Sequence, residues 1–257
     1  MRAAKALYHR LLPPEIRNPI GQFRRRIADL IRRQTSRYAI PPKSLLTQIQ
    51  MTPWSREYIE VGRKSASTIL ALASAAGVGE GSRVLDFGCG SGRTIRHLQQ
   101  SSWTLTGCDV DEEAVAWCRS SLPFADFIVS GENPPLDFPD GSFDAIFAIS
   151  VFTHFPPEAQ AAWIAELGRI LRPGGIAMLS TMGPSIIGNF PHGTAENRAA
   201  LLERDAIYLP GSDGFNSNAA FHTTRAVARL GEPAFDLVLW QEQGLDGFQD
   251  ISLLRRR

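Results

Sequence analysis

The chain is 257 residues long, with 44% hydrophobic and 21% charged residues and a net charge of +1, the proportions of a soluble globular protein with one substantial core. No apolar run approaches the roughly 18–20 residues of a membrane span, and the N-terminal stretch lacks an apolar core followed by a small-residue cleavage site. Neither a spanning segment nor a secretory signal is expected, and the cytoplasm is the expected compartment. The cysteines, Cys89, Cys108 and Cys118, show no CxxC spacing and are too few for a disulfide framework, so reduced thiols and no metal are expected.

Residues 1–43 form a basic arm, in which eleven Lys and Arg stand against Glu15 and Asp29, leaving the remainder at −8. Within it Ile20, Phe23, Ile27, Leu30 and Ile31 recur at helical spacing, while Arg24, Arg25, Arg26, Arg32 and Arg33 fall mostly elsewhere around the turn. Two uses fit such a basic amphipathic helix. It can meet an anionic surface or partner, lying peripherally on an anionic membrane (the inner membrane for a cytoplasmic protein) or against an anionic partner, or it can pack its apolar stripe on the main domain with the arginines in water. Pro41 and Pro42 end the arm, and residues 44–257 read as one domain.

From residue 82 the pattern alternates. "RVLDF" reads as a buried strand, "GRTIRHLQQS" as a helix, "WTLTGCD" as a strand and "EEAVAWCRSSL" as a helix. "ADFIVS" and "FDAIFAIS" follow as strands, then "PEAQAAWIAELGRIL" as a helix and "GIAMLST" as a strand. The late runs "FDLVLWQ" and "QDISLLRR" supply a hairpin for the sheet's edge. Regular alternation with short connections predicts right-handed crossovers and a doubly wound α/β domain, with a mostly parallel sheet covered on both faces. Ligands of such sheets bind beyond the strands' carboxyl ends, near the point where strand order reverses.

"VLDFGCGSGR" marks that point. Glycine permits positive φ and lets main-chain N–H groups approach a ligand closely, so Gly88, Gly90 and Gly92 predict a turn on which a ligand lies flat. Nicotinamide-binding folds use a related turn, and an NAD-dependent oxidoreductase is an alternative. Here, however, the third glycine comes one residue early, and Asp86 stands two residues before the first. A carboxylate there suits a cationic amine better than a pyrophosphate. Asp109, ending the second strand, can accept both hydroxyls of a ribose. Glu132 and Asn133 follow the third strand, where an acceptor and an N–H can read an adenine edge.

In this order and spacing, "VLDFGCGSG", the acid of "GCDVD", "PPLDFPDGSFDAIFAISVFTHF" and "AELGRILRPGG" resemble the motifs of the class I S-adenosylmethionine-dependent methyltransferases over residues 80–181. The resemblance implies a Rossmann-like seven-stranded methyltransferase sheet, mostly parallel with an antiparallel last strand and helices on both faces, and S-adenosyl-L-methionine as cofactor. Carried over, Asp86, Gly88, Gly90 and Gly92 serve the methionine part, Asp109 the ribose, and Glu132 with Asn133 the adenine. The adjoining Phe87, Cys89, Val110 and Ser150 complete the cofactor-binding set. The family often has Asp and Ala where this chain has Glu132 and Asn133. "IPP", "EYIEVG", "SVFTHF", "FHTT" and "FQDISLLRRR" are similar to bacterial methyltransferases found among glycan-assembly enzymes.

Methyl transfer to a hydroxyl needs alignment, exclusion of water and removal of a proton, and histidine is the side chain best tuned as the base. His154, after the fourth strand, and His222, before a helix capped by Thr223, are the candidate catalytic residues. His192 is a third. Each can instead serve only to order its loop. Residues 182–220 are too long for a plain connector and are expected to cover the acceptor. Trp54 and Tyr58 either close the pocket or pack in the core, and Arg93 either reaches the cofactor carboxylate or is solvated. Phe152, Phe155, Trp117 and Trp163 are read as core, and Asp137, Asp140 and Asp144 as turn and strand-start residues without catalytic role. The expected activity is O-methylation of a sugar or other small hydroxylated acceptor, carried on a lipid or growing glycan. The alternatives are C- or N-methylation of a small metabolite and a noncatalytic cofactor-binding module. Nucleic acid is not an expected partner, because the excess of basic charge is confined to the arm and the remainder is acidic overall.

Overall fold

The computed structural model describes residues 19–36, 39–50, 53–190, 193–211 and 217–257. Its sheet comprises β1 (Arg83–Phe87), β2 (Thr104–Asp109), β3 (Asp126–Val129), β4 (Phe143–Ala148), β5 (Leu171–Thr181), β8 (Phe235–Leu245) and β9 (Gln249–Arg256) in the order β3-β2-β1-β4-β5-β9-β8. The strands from β3 to β5 pair in parallel, and β9 runs antiparallel to both neighbours. The chain leaves β1 toward β2 and β3, then returns to β4 on the other side. The order therefore reverses between β1 and β4, which opens a crevice above their carboxyl ends.

Alternate residues of the central strands feed two cores, as a period of two requires. Val84, Leu105, Phe147, Met178 and Ile251 pack with Ile69 of α3 (Ser55–Ala75) and Val115 of α4 (Glu112–Ser121). On the other face Leu85, Phe87, Ile146, Leu179 and Leu254 meet Trp163, Ile164 and Leu167 of α5 (Pro157–Ile170). Phe152 and Trp163 are buried as expected, with Phe155 and Trp117 packed against the cores. Asp140 and Asp144 are held in ion pairs, with Arg169 and with Arg172 respectively.

The helix expected over residues 92–101 does not form. Gly92 has φ 75°, which stops a right-handed helix from starting through it. His97 N–H then donates to Thr94 O at 3.1 Å and Leu98 N–H to Ile95 O at 2.9 Å, a 3₁₀ turn over Ile95–His97. Its i, i+3 stacking aims both Ile95 and Leu98 into the core, where each is fully buried.

The segment after β5 carries its own structure. Helix α6 (Ala195–Arg204) leads into a ribbon of β6 (Ala206–Leu209) and β7 (Ala219–His222), over a small core of Met182, Ile186, Ile187, Leu201 and Phe221. Ala220 N–H donates to Thr153 O at 2.8 Å and His222 N–H to Met182 O at 2.8 Å, so the ribbon is stitched to the loop after β4 and to the end of β5. Helix α7 (Thr224–Gly231) follows, capped by the Thr223 hydroxyl as expected.

The basic arm contains α1 (Pro19–Thr35), and α2 (Lys43–Gln50) begins at its end. Its packing is the reverse of the packed-stripe reading. Asp29, 3% exposed, accepts from Ser55 N–H at 2.7 Å and from Arg33 Nε at 2.9 Å; Arg25 pairs with Glu57, and Arg33 Nη1 donates to Pro41 O at 2.8 Å. The buried carboxylate turns the polar face inward because its partners lie at the start of α3, and Phe23, Ile27, Leu30 and Ile31 are left facing outward. Among the described residues no helix is long and apolar enough to cross a membrane.

Candidate active site at the carboxyl edge of the sheet

Three left-handed glycines shape the turn after β1: Gly88 at φ 73°, Gly90 at 51° and Gly92 at 75°. A Cβ on Gly88 would strike Val151, and one on Gly92 would strike Leu122, so the turn is closely packed between the β4 loop and α4. Gly62 is required for a different reason: a Cβ there would collide with the Arg93 carbonyl, so glycine lets α3 rest directly on the turn. Tyr58, one helical turn earlier and fully buried, donates its hydroxyl to Ser91 O at 2.6 Å. Tyr58 supports the turn from behind. Trp54 sits outside, beneath the Arg25 guanidinium at 4.9 Å and Lys43 at 5.7 Å.

The acids lie where the spacing put them. Asp109 accepts from Gly90 N–H at 2.7 Å through one oxygen and from Asp111 N–H at 2.9 Å through the other, so it links the glycine turn to the end of β2. Asp86 is 3% exposed and its Oδ2 has no hydrogen-bond partner. Burial and then the neighbouring Asp109 push its pKa well above the ordinary carboxylate value. A buried carboxyl oxygen without a donor is a costly arrangement that a cationic ligand group would relieve. Arg93 lies close enough to Asp86 and Asp246 to feel both charges, and burial lowers its pKa. Val110, next to Asp109, is 53% exposed on the lip of the crevice, and Glu132 and Asn133 are exposed beyond β3.

The β4 side is under strain. Ser150 takes φ 62°, sparse territory for a residue with a side chain, and is held there from two directions. Its N–H donates to Ser180 Oγ at 2.7 Å and its hydroxyl pairs with the Gln249 side chain at 3.0–3.2 Å. Sequence reasoning missed Ser180 and Gln249. Ser180 lies near the end of β5 and Gln249 at the start of antiparallel β9, so both are at the carboxyl edge, but only the register Ser180↔Ile251 brings them together. It also missed Asp250, fully buried and paired with Thr181 in the ladder. Asp250 Oδ1 accepts from Gln243 N–H at 2.9 Å, its Oδ2 has no partner, and burial pushes its pKa up to about 6.

The two candidate histidines fall in different settings. His154 Nδ1 lies 2.8 Å from Asn218 O. A carbonyl only accepts, so Nδ1 carries the proton and Nε2 the lone pair, and burial lowers the ring's pKa. His222 is in strand β7, not in a loop, and is 3% exposed. Its Nε2 donates to Gln160 Oε1 at 2.8 Å, an orientation fixed because Gln160 Nε2 donates to Phe155 O at 2.8 Å, and burial lowers its pKa to about 4. Through Gln160 it braces the loop that carries His154. His222→Leu is accordingly expected to cost about 1–3 kcal/mol of stability, read as a lowered Tm, while the shape of the pH–rate profile is kept. Loss of its acidic limb would contradict this. His192 lies outside the described residues. Among the described residues no cluster of three His, Cys, Asp or Glu could hold a metal ion.

Comparison with known proteins agrees with this geometry. Residues 84–175 match the model of a methyltransferase domain. The phthiotriol/phenolphthiotriol dimycocerosates methyltransferase 1 of Mycobacterium ulcerans is 28% identical over 200 residues, covering 76% of this chain and 69% of that protein. A fatty-acid O-methyltransferase of Mycolicibacterium smegmatis is 30% identical over 163 residues, and the match spans 62% of this chain but only 58% of that relative. The fold aligns with magnesium protoporphyrin IX methyltransferase from Synechocystis PCC 6803, solved with bound S-adenosylhomocysteine, at a TM-score of 0.57 and 19% identity over 79% of this chain and 87% of that one. A strand-order reversal at β1/β4, a left-handed glycine turn flanked by Asp86 and Asp109, and sequence relatives that share this segment converge on one assignment: residues 84–175 are a methyltransferase domain of the S-adenosylmethionine-dependent type.

Proposed function

We propose that this enzyme O-methylates a hydroxyl of a sugar or other small hydroxylated acceptor carried on a lipid, with His154 as general base. The observation that carries the reading is the hydrogen bond between His154 Nδ1 and Asn218 O at 2.8 Å, which fixes the ring as the Nδ1–H tautomer in the loop after β4. The relatives support the lipid: by their names, one acts on phthiotriol and phenolphthiotriol dimycocerosates and another O-methylates fatty acids. Contact of the basic arm with an anionic membrane surface belongs to the same reading.

When bound, S-adenosylmethionine supplies a methyl group already activated by its sulfonium. The orphaned Asp86 oxygen and the glycine cradle fit its methionine end, so Asp86, Phe87, Gly88, Cys89, Gly90 and Gly92 hold that part, with Arg93 toward the carboxylate. Asp109 and Val110 receive the ribose, Glu132 and Asn133 the adenine, and Ser150 closes the β4 side. His154 Nε2 takes the acceptor's hydroxyl proton as the oxygen attacks, and residues 182–220 exclude water.

The test is turnover with a labelled methyl donor on matched acceptors: a free sugar, the same sugar on a lipid, a fatty acid and a sterol. The lipid-linked hydroxyl is expected to give a methyl ether with kcat/KM at least about tenfold above the free sugar, because the remote lipid contributes binding energy at the transition state. Methylation confined to carbon or nitrogen would overturn the reading. So would cofactor binding with no transfer to any acceptor.

A further inference from the structure

Helix α1 carries two stripes. Phe23, Ile27 and Leu30, with Ile31 beside them, follow the i, i+4, i+7, i+8 spacing of one face, and Arg25, Asp29 and Arg33 follow the same spacing two residues later, about 200° around the helix. The second stripe is bound to the body of the protein through Glu57, Ser55 and Pro41. The first is bare among the described residues: Phe23 is 64% exposed, Leu30 56%, Ile31 55% and Ile27 43%. A soluble surface seldom spends four large apolar side chains on one exposed stripe without a use.

We infer that α1 is an interfacial anchor, whose apolar stripe enters the outer hydrocarbon of an anionic bilayer. Charge selects the occupant. Arg24 and Arg26 are exposed and make no ion pair among the described residues, and they border the apolar stripe on its two sides, where their stems can reach lipid phosphates. The helix has a single acid, Asp29, which is buried and paired. A second copy of the chain is a poorer occupant, because a two-fold contact through this face would set the arginines against their own images. The anchor is rigidly connected to the chemistry. Asp29 binds Ser55 and Arg25 binds Glu57 at the start of α3, whose Tyr58 holds the glycine turn, and Arg96 Nη2 donates to Ala39 O at 2.7 Å. Docking α1 therefore docks the cofactor edge of the sheet. This deepens the lipid-borne acceptor proposed above and rests on it for its purpose.

The test uses the full chain with vesicles of phosphatidylcholine, alone or with 30% phosphatidylglycerol. Cosedimentation is expected with the anionic vesicles, and to fall at least about tenfold for the triple variant Phe23→Ser, Ile27→Ser, Leu30→Ser and to weaken with salt for the wild type. Affinity for S-adenosylmethionine should stay unchanged in that variant, which shows that it folds. The native cysteines are all buried, so Ile27→Cys can be labelled with an environment-sensitive dye, expected to shift only when anionic vesicles are added. No vesicle binding, binding untouched by the triple variant, equal binding to neutral vesicles, a dye already shifted without lipid, or a dimer lost in the triple variant would each overturn the anchor. Vesicle binding is read without any acceptor. An anchor that binds while no lipid-linked hydroxyl is methylated would sink only the acceptor reading.

Discussion

Replacing His154 with alanine is expected to lower kcat by about 10²–10⁴-fold, the usual contribution of a positioned general base, while leaving the affinity for S-adenosylmethionine within about threefold. The split follows from position. His154 lies in the loop after β4, on the side proposed for the acceptor, whereas the groups proposed for the cofactor lie mostly at β1 and β2. Its tautomer is held firmly, since Asn218 O faces Nδ1 at 2.8 Å and Asn218 Oδ1 itself accepts from Gly211 N–H at 3.0 Å. The pH profile gives an independent check. Burial lowers the pKa of this ring below its ordinary 6.5, so the neutral, active form persists to unusually low pH. In the wild type kcat should be flat at neutral pH and fall as pH drops through that lowered value. The acidic limb should vanish in the alanine variant. Asp250, raised to about 6 by burial, is the group most able to imitate such a limb. Asp250→Asn is therefore expected to leave the limb in place, and a limb that follows Asp250 instead would transfer the role of base to it.

What the sequence made legible, and what it left hidden, divides along the range of the forces involved. Strands β1, β4 and β5 are buried on both faces and read as continuous apolar runs, and the left-handed glycines advertise themselves because other residues are costly there. The mostly parallel doubly wound sheet, the glycine turn and the strand-end acid Asp109 were accessible for that reason. Residues 92–101 misled because Ile95 and Leu98 satisfy α-helical and 3₁₀ spacing alike, and only the packing against α3 and the sheet decides between them. The support of Ser150 by Ser180 and Gln249 depends on the register between β5 and β9, which no local pattern encodes. The orientation of α1 was hidden for an electrostatic reason. Hydrophobic periodicity marks an apolar face without saying whether it turns in or out, and a single buried carboxylate, Asp29, reverses the usual answer by finding its donors on α3. His222 could be seen as a polar residue beside a capped helix, but not that Gln160 would be waiting for it across the loop.

Asp86→Asn is expected to do two opposite things: weaken S-adenosylmethionine binding by about 10–150-fold, the loss of one hydrogen bond to a charged group, and raise the Tm of the ligand-free protein. Both follow from the same buried oxygen. In the folded protein the Asp86 pKa is raised well above 3.8, first by burial and then by Asp109, while Ile95 N–H donates to the carboxyl and the Oδ2 atom stays unpartnered. Between the unfolded and folded pKa values the native state holds a proton that the unfolded chain has released. Stability from this group is thus fully present below about 3.8 and is lost as pH rises toward the folded value. Asparagine removes that loss while keeping an oxygen for Ile95. The cofactor reverses the sign, because a cationic amine beside the carboxyl favours its ionised form and binding must release the proton. Affinity in the wild type should accordingly climb with pH across the same window and level off above it, and calorimetry in buffers of different ionisation enthalpy should register proton release. In the variant both the slope and the released proton should disappear. A lower Tm for ligand-free Asp86→Asn, or affinity independent of pH in the wild type, would mean that Asp86 is a structural carboxyl and that the glycine turn alone holds the methionine end.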